Sequence, residues 1–261
     1  MTKLIWLSDL HFVAEGLVQG HDPQQRLDMA VAHVNAQHLD AACCVVSGDL
    51  VDRATAADYR AVRAGLDKLA MPWLPMVGNH DDRALVRALL PVPTGGMSDF
   101  VQYAMTTDVG LIVCLDTLTP GADGGSFCAA RQAWLHDCLA RNVGMPALIF
   151  MHHPPMALGL PMQDSDRLAE GEALLDLLAE HPNVRQLCIG HVHRPITGNI
   201  RGMPFATMRA VLYQAPPPVP AWDWDSFAPA REAPALGVIH MKDGGVLLQY
   251  EQFCDAEEGV R

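Results

Sequence analysis

Five stretches of the chain share one pattern, in which a short apolar run is followed at once by side chains of the types that bind metals. Short apolar runs that end at turn residues are typical of buried strands. In residues 42–52, ACCVVSGDLVD, the run ends near a glycine and delivers Asp49. The others are LIWLSDLH at 4–11, WLPMVGNHD at 73–81, ALIFMHHPP at 147–155 and RQLCIGHVH at 185–193. Because a carboxylate can bridge two cations with its two oxygens, the pattern predicts a two-metal site centred on Asp49.

The order of the predicted elements indicates the fold class. Helices alternate with strands in the first part of the chain, with helix starts predicted at Asp22-Pro23 and at Thr55 as an N-cap. Shorter strands are predicted at 100–103 and 111–117, and signals typical of hairpins follow residue 193. Alternation followed by hairpins favours an α/β fold, a four-layer αββα sandwich of two mixed sheets with flanking helices.

Length and charge limit the class of protein. With 261 residues, of which 50% are hydrophobic, the chain is long enough to bury one large core, and we expect a single domain over residues 1–252. The acidic tail, 253–261, is expected to be frayed. The net charge is -12, from 18 Lys and Arg against 30 Asp and Glu. Because polynucleotide binding depends on many basic contacts to phosphate, the composition argues against a nucleic-acid partner.

Cysteine usage and the N-terminal sequence favour a cytoplasmic protein without a membrane partner. The first predicted strand begins within three residues of the N-terminus, which leaves no room for a signal peptide. No apolar run approaches the roughly 18 residues of a membrane span. The seven cysteines include Cys43, Cys44, Cys114 and Cys188 within apolar runs. An odd number of cysteines in such positions is typical of reduced core residues and not of a disulfide framework.

Taken together and in order, the polar motifs resemble the signature of the calcineurin-like metallophosphoesterase superfamily. That signature is D-x-H, G-D, G-N-H-D, H-x-P and G-H-x-H, and all five elements occur here between residues 9 and 193. Each motif alone is common in surface turns, whereas the ordered set is specific. The stretch FMHHPPMALGLPMQDSD and the chain length are most similar to bacterial glycerophosphodiesterases and class III cyclic-nucleotide phosphodiesterases.

The resemblance implies a set of metal ligands. The first metal would be held by Asp9, His11, Asp49 and His193, and the second by Asp49, Asn79, His152 and His191. A spacing of two residues lets Asp9 and His11 face one ion at a strand end. Carboxylate, amide and imidazole donors without a thiolate suit Fe, Mn, Zn or Co, and the sequence does not choose among them.

The same resemblance implies the chemistry. The expected reaction is hydrolysis of a small phosphodiester, a 3',5'-cyclic nucleotide or a glycerophosphodiester, by in-line attack of a metal-bridging hydroxide. His80, next to Asn79, resembles the catalytic histidine of the family and would act as a general acid or electrostatic stabiliser. Asp52 and Asp81 would orient the ligands.

Three other functions stay open on sequence alone. A phosphomonoesterase of the same fold would use the same ligands, and a nuclease is disfavoured by the acidic charge. A non-catalytic scaffold would be expected to lose ligands, whereas this chain keeps all of them and His80. The resemblance also implies a homo-oligomer, a dimer or larger.

Several ring-bearing residues outside the proposed ligands have alternative interpretations. His153 follows His152 directly, so its side chain is expected to point away from the site and to pack. Six histidines outside the motifs are expected to be solvated or to pack: His21, His33, His38, His136, His181 and His240. Segment 203–235 is either a cap over the substrate or an oligomer contact, and its aromatic residues Trp222, Trp224 and Phe227 are the reason for both interpretations.

Overall fold

The computed structural model describes residues 2–108, 110–224 and 226–260. The strands are β1 (Thr2–Leu7), β2 (Cys43–Val46), β3 (Trp73–Pro75), β4 (Tyr103–Thr106), β5 (Leu111–Cys114), β6 (Ala147–Met151), β7 (Val184–Ile189), β8 (Thr197–Ile200), β9 (Met203–Thr207), β10 (Ala235–Lys242) and β11 (Gly245–Gln252). The helices are α1 (Pro23–Gln37), α2 (Ala56–Leu66), α3 (Arg83–Leu89), α4 (Ala129–Arg141), α5 (Pro161–Ser165) and α6 (Gly171–Ala179).

The strands form two mixed sheets. The five-stranded sheet has the order β11-β10-β1-β2-β3, and the six-stranded sheet has the order β4-β5-β6-β7-β9-β8. β1, β2 and β3 run parallel to one another, as do β5, β6, β7 and β9. The remaining strands pair antiparallel with their neighbours. The carboxyl ends of the parallel strands can therefore supply polar residues from both sheets.

Side-chain alternation explains how the two sheets and their helices pack. On β5 and β6, Ile112 and Phe150 belong to the cluster between the sheets, whereas Val113 and Ile149 pack with leucines of α4 and α6. Trp6 of β1 meets Phe150 across the sheets, with ring centroids 5.8 Å apart. Apolar residues of α1 and α2 cover the other face of the five-stranded sheet. The result is the predicted four-layer αββα sandwich.

The helix starts agree with the predicted capping residues. The side chain of Asp22 accepts a hydrogen bond from the Gln25 amide at 3.1 Å, and Pro23 opens α1. Thr55 accepts from the Asp58 amide at 3.2 Å and precedes α2. Each cap satisfies an amide that a helix leaves unpaired at its first turn.

The strand predicted at 100–103 is wrong in position, because β4 spans Tyr103–Thr106. Phe100 instead lies under two arginines, with the guanidinium of Arg131 4.5 Å from its ring centroid. The amide of Val101 donates to the carboxylate of Asp116 at 2.8 Å and not to a neighbouring strand. The same carboxylate accepts from the Leu118 amide, and the strand predicted at 111–117 ends at Cys114.

Two segments without predicted structure have defined contacts. The loop that follows β6 contains α5, and α6 begins at Gly171. In the described part of the tail, residues 253–260, the backbone packs against α1 and is not frayed. Arg26 donates to the carbonyl oxygens of Asp255 and Ala256 at 3.2 and 2.8 Å. A buried arginine that finds its acceptors on the tail backbone holds the tail in place.

The cysteines within strands are buried, as predicted. Burial raises the pKa of the Cys43 thiol to about 12, and all seven cysteines are free. Within the part of the chain that the structure describes, no helix combines the length and apolarity needed to cross a membrane.

Candidate metal centre

The residues predicted from the five motifs converge at the carboxyl ends of the parallel strands, where the two sheets meet. Loops after β1, β2 and β3 carry Asp9, His11, Asp49, Asn79 and His80, and loops after β6 and β7 carry His152, His191 and His193. Each loop follows the carboxyl end of a parallel strand. The centre is thus built from both sheets and depends on their packing.

Five of these residues adopt left-handed backbone conformations, which are rare for residues with a Cβ. The φ angles are 55° for Asp9, 39° for His11, 48° for Asp49, 69° for His191 and 49° for His193. Each such conformation costs roughly 1–2 kcal/mol relative to the right-handed one. The backbone at the strand ends is strained where it presents these side chains, which is typical of a functional site.

Two glycines leave the space that the centre needs. A Cβ on Gly78 would overlap the Asp49 carboxylate and would lie 2.6 Å from Nε2 of His152. A Cβ on Gly48 would lie 2.5 Å from Nδ1 of His152, and the φ of Gly48 is 99°. The glycines in the GD and GNHD motifs are therefore required for close approach of the loops to His152.

A first group of donor atoms comes from Asp9, His11, Asp49 and His193. One atom from each residue lies within 4.8 Å of the others, and all four residues are buried. Nε2 of His11 is 3.1 Å from Nε2 of His193 and 3.5 Å from Oδ2 of Asp49. Nε2 of His193 is 3.4 Å from Oδ1 of Asp9. The arrangement matches the first predicted ligand set.

A second group lies beside the first and shares Asp49. Nε2 of His152 is 3.4 Å from Oδ2 of Asp49 and 3.2 Å from Oδ1 of Asn79. Nδ1 of His191 is also 3.2 Å from Oδ1 of Asn79. The structure thus brings together all the residues of the second predicted set, with Asp49 common to both.

Unpartnered buried atoms test whether a metal fits this centre. Oδ2 of Asp9 and Nε2 of His191 are buried and have no hydrogen-bond partner in the described chain. A buried carboxylate oxygen without a donor is unfavourable, and a cation removes that penalty. In addition, Nε2 of His11 faces Nε2 of His193. The two nitrogens can form a hydrogen bond only if one of them carries a proton and the other does not. The donor set therefore fits cations.

The electrostatics of the centre favour ionised carboxylates. Burial opposes ionisation of Asp9, but His193 and His152 outweigh burial and lower the pKa of Asp9 to about 2. For Asp49, burial is again outweighed, chiefly by His152, and the pKa lies well below its usual value. Burial and the neighbouring His152 lower the pKa of His191 to about 3. Ionised carboxylates and the neutral ring of His191 are protonation states that metals bind. For His152, burial is outweighed by Asp49, which raises the pKa to about 9, so a metal would displace a proton from this ring.

His80 lies at the edge of the centre and lines the cavity in front of it. Its amide donates to Oδ1 of Asp49 at 3.0 Å, and Nδ1 of its ring lies 3.0 Å from the carbonyl oxygen of Asp52. Burial lowers the pKa of His80, but Asp49 and the Asp52 carbonyl outweigh burial and raise it overall. His80 is thus placed beside the two donor groups without joining either.

Asp52 and Asp81 contact the centre in different ways. Oδ1 of Asp52 lies 3.3 Å from Nδ1 of His11, on the side of the ring away from Asp49. A carboxylate in that position fixes the orientation of a metal-binding imidazole. Asp81 accepts from the amides of Leu50 and Gly78 at 3.2 and 2.9 Å. Asp81 therefore joins the backbones of the two loops.

His153 does not point away from the site, contrary to the sequence prediction. Its ring centroid lies 5.0 Å from that of His152 and 4.9 Å from that of His191. Nδ1 lies 2.7 Å from the hydroxyl of Thr117, and Nε2 lies 3.0 Å from the carbonyl oxygen of Asp123. Because the strand has ended, alternation no longer applies. Both ring nitrogens are used by protein groups, which favours packing behind the donors.

Sequence reasoning missed the backbone acceptors that orient the histidines. Nδ1 of His193 lies 2.9 Å from the carbonyl oxygen of Tyr213, and Nδ1 of His152 lies 2.9 Å from that of Ser47. In each case the bond directs Nε2 toward the donor group. A carbonyl acceptor has no signature in the side-chain sequence, so no motif could have identified these two residues.

A cavity of about 470 Å³ opens in front of the donors. Its aromatic wall is formed by Tyr213, Trp224 and Phe227, and the ring of Tyr213 lies 4.7 Å from that of His193. Trp222 packs behind this wall, with its ring centroid 5.0 Å from that of Trp224. Part of segment 203–235 thus lies beside the centre.

Comparison with known proteins identifies the family. The family model for calcineurin-like phosphoesterases matches residues 2–195, and the chain belongs to that family. A protein named probable cyclic nucleotide phosphodiesterase from Rhodopseudomonas palustris is 38% identical over 81% of this chain and 79% of its own length. A protein named glycerophosphodiester phosphodiesterase GpdQ from Enterobacter lignolyticus is 29% identical over 82% of this chain and 78% of its own.

A solved structure shares the fold. The crystal structure of a dimetal phosphatase from Danio rerio superimposes with a TM-score of 0.73, at 16% identity, over 97% of both chains. At this identity the likeness supports the fold alone. The recognition of the superfamily from the five motifs is confirmed, as is the four-layer fold.

Proposed function

We propose that the protein is a binuclear-metal phosphodiesterase that hydrolyses small diesters, with 3',5'-cyclic nucleotides and glycerophosphodiesters as its substrate classes. The observation that carries the proposal is the position of Asp49, whose Oδ2 lies 3.5 Å from Nε2 of His11 and 3.4 Å from Nε2 of His152. The family membership supports phosphoester hydrolysis, and the names of the two relatives support diesters.

Two cations would occupy the two donor groups. The first would be held by Asp9, His11, Asp49 and His193, and the second by Asp49, Asn79, His152 and His191. The donors are oxygen and nitrogen without a thiolate, which suits Fe, Mn, Zn or Co. When bound, such cations lower the pKa of coordinated water and offset the charge of a phosphate.

The charge of the cavity supports metal dependence. Among the described residues that line it there is no Lys or Arg, while Asp52, Asp123 and Asp166 contribute carboxylates. A phosphodiester anion entering these surroundings is repelled unless cations are present. The same carboxylates disfavour a polynucleotide, whose neighbouring phosphates would extend along the cavity walls.

His80 would supply the proton for the leaving group. The bond from its Nδ1 to the Asp52 carbonyl leaves Nε2 available to substrate, and burial, which lowers the pKa of His80, is outweighed by Asp49 and the Asp52 carbonyl, which raise it. As an oxygen derived from water bonds to phosphorus and the bond between phosphorus and the leaving oxygen breaks, Nε2 would donate its proton to that oxygen. The resulting alcohol departs from a glycerophosphodiester and remains on the sugar of a 3',5'-cyclic nucleotide. Asp52, which contacts His11 and His80, would hold both rings in place.

The aromatic wall would contact the part of the substrate that differs between diesters. Trp224 and Phe227 offer flat faces on which a base or a small alcohol can pack. Under this proposal, segment 203–235 acts as a cap. In the alternative, Trp222 and Trp224 form a subunit contact in a homo-oligomer, and the partial exposure of Trp224, 39%, is compatible with both.

We also infer a cytoplasmic location. All seven cysteines are free, including exposed Cys128, as expected for a protein kept in a reducing compartment.

A hydrolysis panel tests the proposal directly. The purified protein is reconstituted with Mn, Fe, Zn or Co and assayed with cyclic nucleotides, glycerophosphodiesters and phosphomonoesters. We expect metal-dependent turnover of at least one diester class, with kcat/KM exceeding that for monoesters. A preference for monoesters would make the protein a phosphomonoesterase. Absence of bound metal together with absence of turnover would favour a scaffold.

A further inference from the structure

Two histidines and a glutamate form a cluster between α1 and β11, the edge strand of the five-stranded sheet. His33 lies in the last turns of α1, His38 is its C-cap residue, and Glu251 lies near the end of β11. Nε2 of His33 is 2.6 Å from Oε1 of Glu251, and Nε2 of His38 is 3.2 Å from the same oxygen. The cluster connects two segments that are more than 200 residues apart in sequence, since the His33 and Glu251 positions differ by 218.

The cluster is separate from the proposed catalytic centre. β11 is the edge strand of its sheet, and two strands intervene between it and β2. None of the three residues is among those that line the catalytic cavity. His33 and His38, which their sequence surroundings predict to be solvated or to pack, instead both contact one carboxylate.

The geometry of the cluster is close to that of a zinc site. The donor atoms of the three residues lie within 4.8 Å of one another. In a tetrahedral site with bonds of about 2.0–2.1 Å, donor atoms lie about 3.3 Å apart. The distance from Oε1 to Nε2 of His38, 3.2 Å, is close to that value, and the distance to Nε2 of His33, 2.6 Å, is shorter. Two imidazoles and one carboxylate leave a fourth position for water.

Access and surroundings are also suitable. The side chains of His33, His38 and Glu251 are 23%, 8% and 34% exposed, so an ion can enter from solvent while the ligands are partly held by the protein. Among the described residues, the ion-pair partners of the Glu251 carboxylate are His33 and His38. The Glu251 carboxylate is thus paired with imidazole rings, which can be neutral, and not with a permanent cation.

We propose that His33, His38 and Glu251 form a third, peripheral metal site for a divalent transition-metal ion such as Zn²⁺, which connects α1 to the C-terminal strand. Binding to the folded chain stabilises it by mass action, so the site would link metal supply to the stability of this edge of the protein.

The experiment uses protein whose catalytic centre is already filled. Wild type is equilibrated by dialysis against micromolar Zn²⁺, and bound metal is counted per chain. We expect three ions in wild type and two in His33→Gln. Glutamine retains a donor for Glu251 but removes the imidazole ligand, so the fold is kept. His136→Gln is the matched control, because His136 belongs to no three-donor cluster of the described residues, and it should bind three ions.

Thermal unfolding provides a second measurement. Zn²⁺ should raise the Tm of wild type and of His136→Gln by more than it raises that of His33→Gln, and kcat should be equal in all three. Only two ions in wild type, or an equal count and an equal Tm shift in His33→Gln, would overturn the proposal. In that case the cluster is a set of hydrogen bonds between α1 and β11.

Discussion

Oδ2 of Asp49 lies 3.4 Å from Nε2 of His152, although the two residues follow strands of different sheets. Asp49 follows β2 of the five-stranded sheet, and His152 follows β6 of the six-stranded sheet. The contact is therefore possible only when the two sheets pack as they do around Trp6 and Phe150. The proposed centre is a property of the sandwich and not of any single loop.

Replacement of His80 by alanine should separate proton donation from metal binding. Because the ring of His80 lies beside the donors without joining either group, His80→Ala should keep both metals and lower kcat on diesters by about 10²-fold or more. The loss should be smaller for substrates with good leaving groups, which need no proton. Metal content and kcat are measured on the same samples. Loss of metal, or an unchanged kcat for alkoxide leaving groups, would contradict the assigned role.

Removal of the tryptophans tests the aromatic wall. Trp222 and Trp224 to Ala together should raise KM for the best natural diester, because Trp224 lines the cavity and Trp222 packs behind it. The value of kcat/KM for a small activated diester, which does not reach the wall, should be unchanged. Unchanged kinetics on both substrates with an altered oligomeric mass would instead assign the tryptophans to a subunit contact.

Replacement of Asp116, whose carboxylate is buried, should lower the free energy of unfolding substantially. Asp116 is fully buried and accepts two hydrogen bonds from Arg83, at 2.6 and 2.8 Å, with Arg131 nearby at 3.7 Å. Asp116→Ala should lower the free energy of unfolding by about 3–5 kcal/mol, because it leaves buried arginine charge without its partner. Urea unfolding measures this quantity.

The exposed pair Lys68–Asp28 provides the matched control for Asp116. Its side chains are 57% and 46% exposed, so Asp28→Ala should cost less than about 1 kcal/mol. Equal losses in the two variants would show that burial does not determine the strength of these ion pairs.

Acid sensitivity should depend on His21. Burial, aided by the charge of Arg26, lowers the pKa of His21 to about 4. The unfolded chain binds a proton at His21 below its ordinary pKa of 6.5, whereas the folded chain does not until about 4. Stability from the neutral ring is therefore fully present above pH 6.5 and is lost as the pH falls toward 4.

The variant His21→Gln should remove this part of the acid dependence. Between pH 7.5 and 4.5, the free energy of unfolding should fall by up to about 2 kcal/mol less in His21→Gln than in wild type. The comparison is made by urea unfolding at both pH values, with His136→Gln as an exposed control. An identical fall in wild type and His21→Gln would mean that His21 titrates alike in both states.

Local sequence predicted the strands and donors but not their long-range partners. The apolar runs and the ligand types after them are local features, and they are sufficient to predict Asp49 and His152 as metal donors. The displacement of the strand predicted at 100–103 has a nonlocal cause, since Phe100 packs on Arg131 of α4, which lies 31 residues later in the chain. No local window contains that contact.

The tail and His153 show the same limitation. The acidic composition after residue 252 is typical of a frayed end, but Arg26 of α1 supplies donors to its backbone from 229 residues away. For His153, alternation was extended beyond the end of β6, where the chain no longer follows strand geometry. In both cases composition or periodicity was applied where tertiary contacts determine the outcome.

The most direct measurement of the central claim is the metal content and kcat of Asp49→Asn. A neutral amide offers one oxygen donor and cannot bridge two cations as a carboxylate does, so the variant should lose at least one metal and most activity. Asp123→Asn, which changes a carboxylate in the same cavity outside both donor groups, is the control and should keep two metals. Two metals per chain and wild-type kcat in Asp49→Asn would contradict the shared-carboxylate centre.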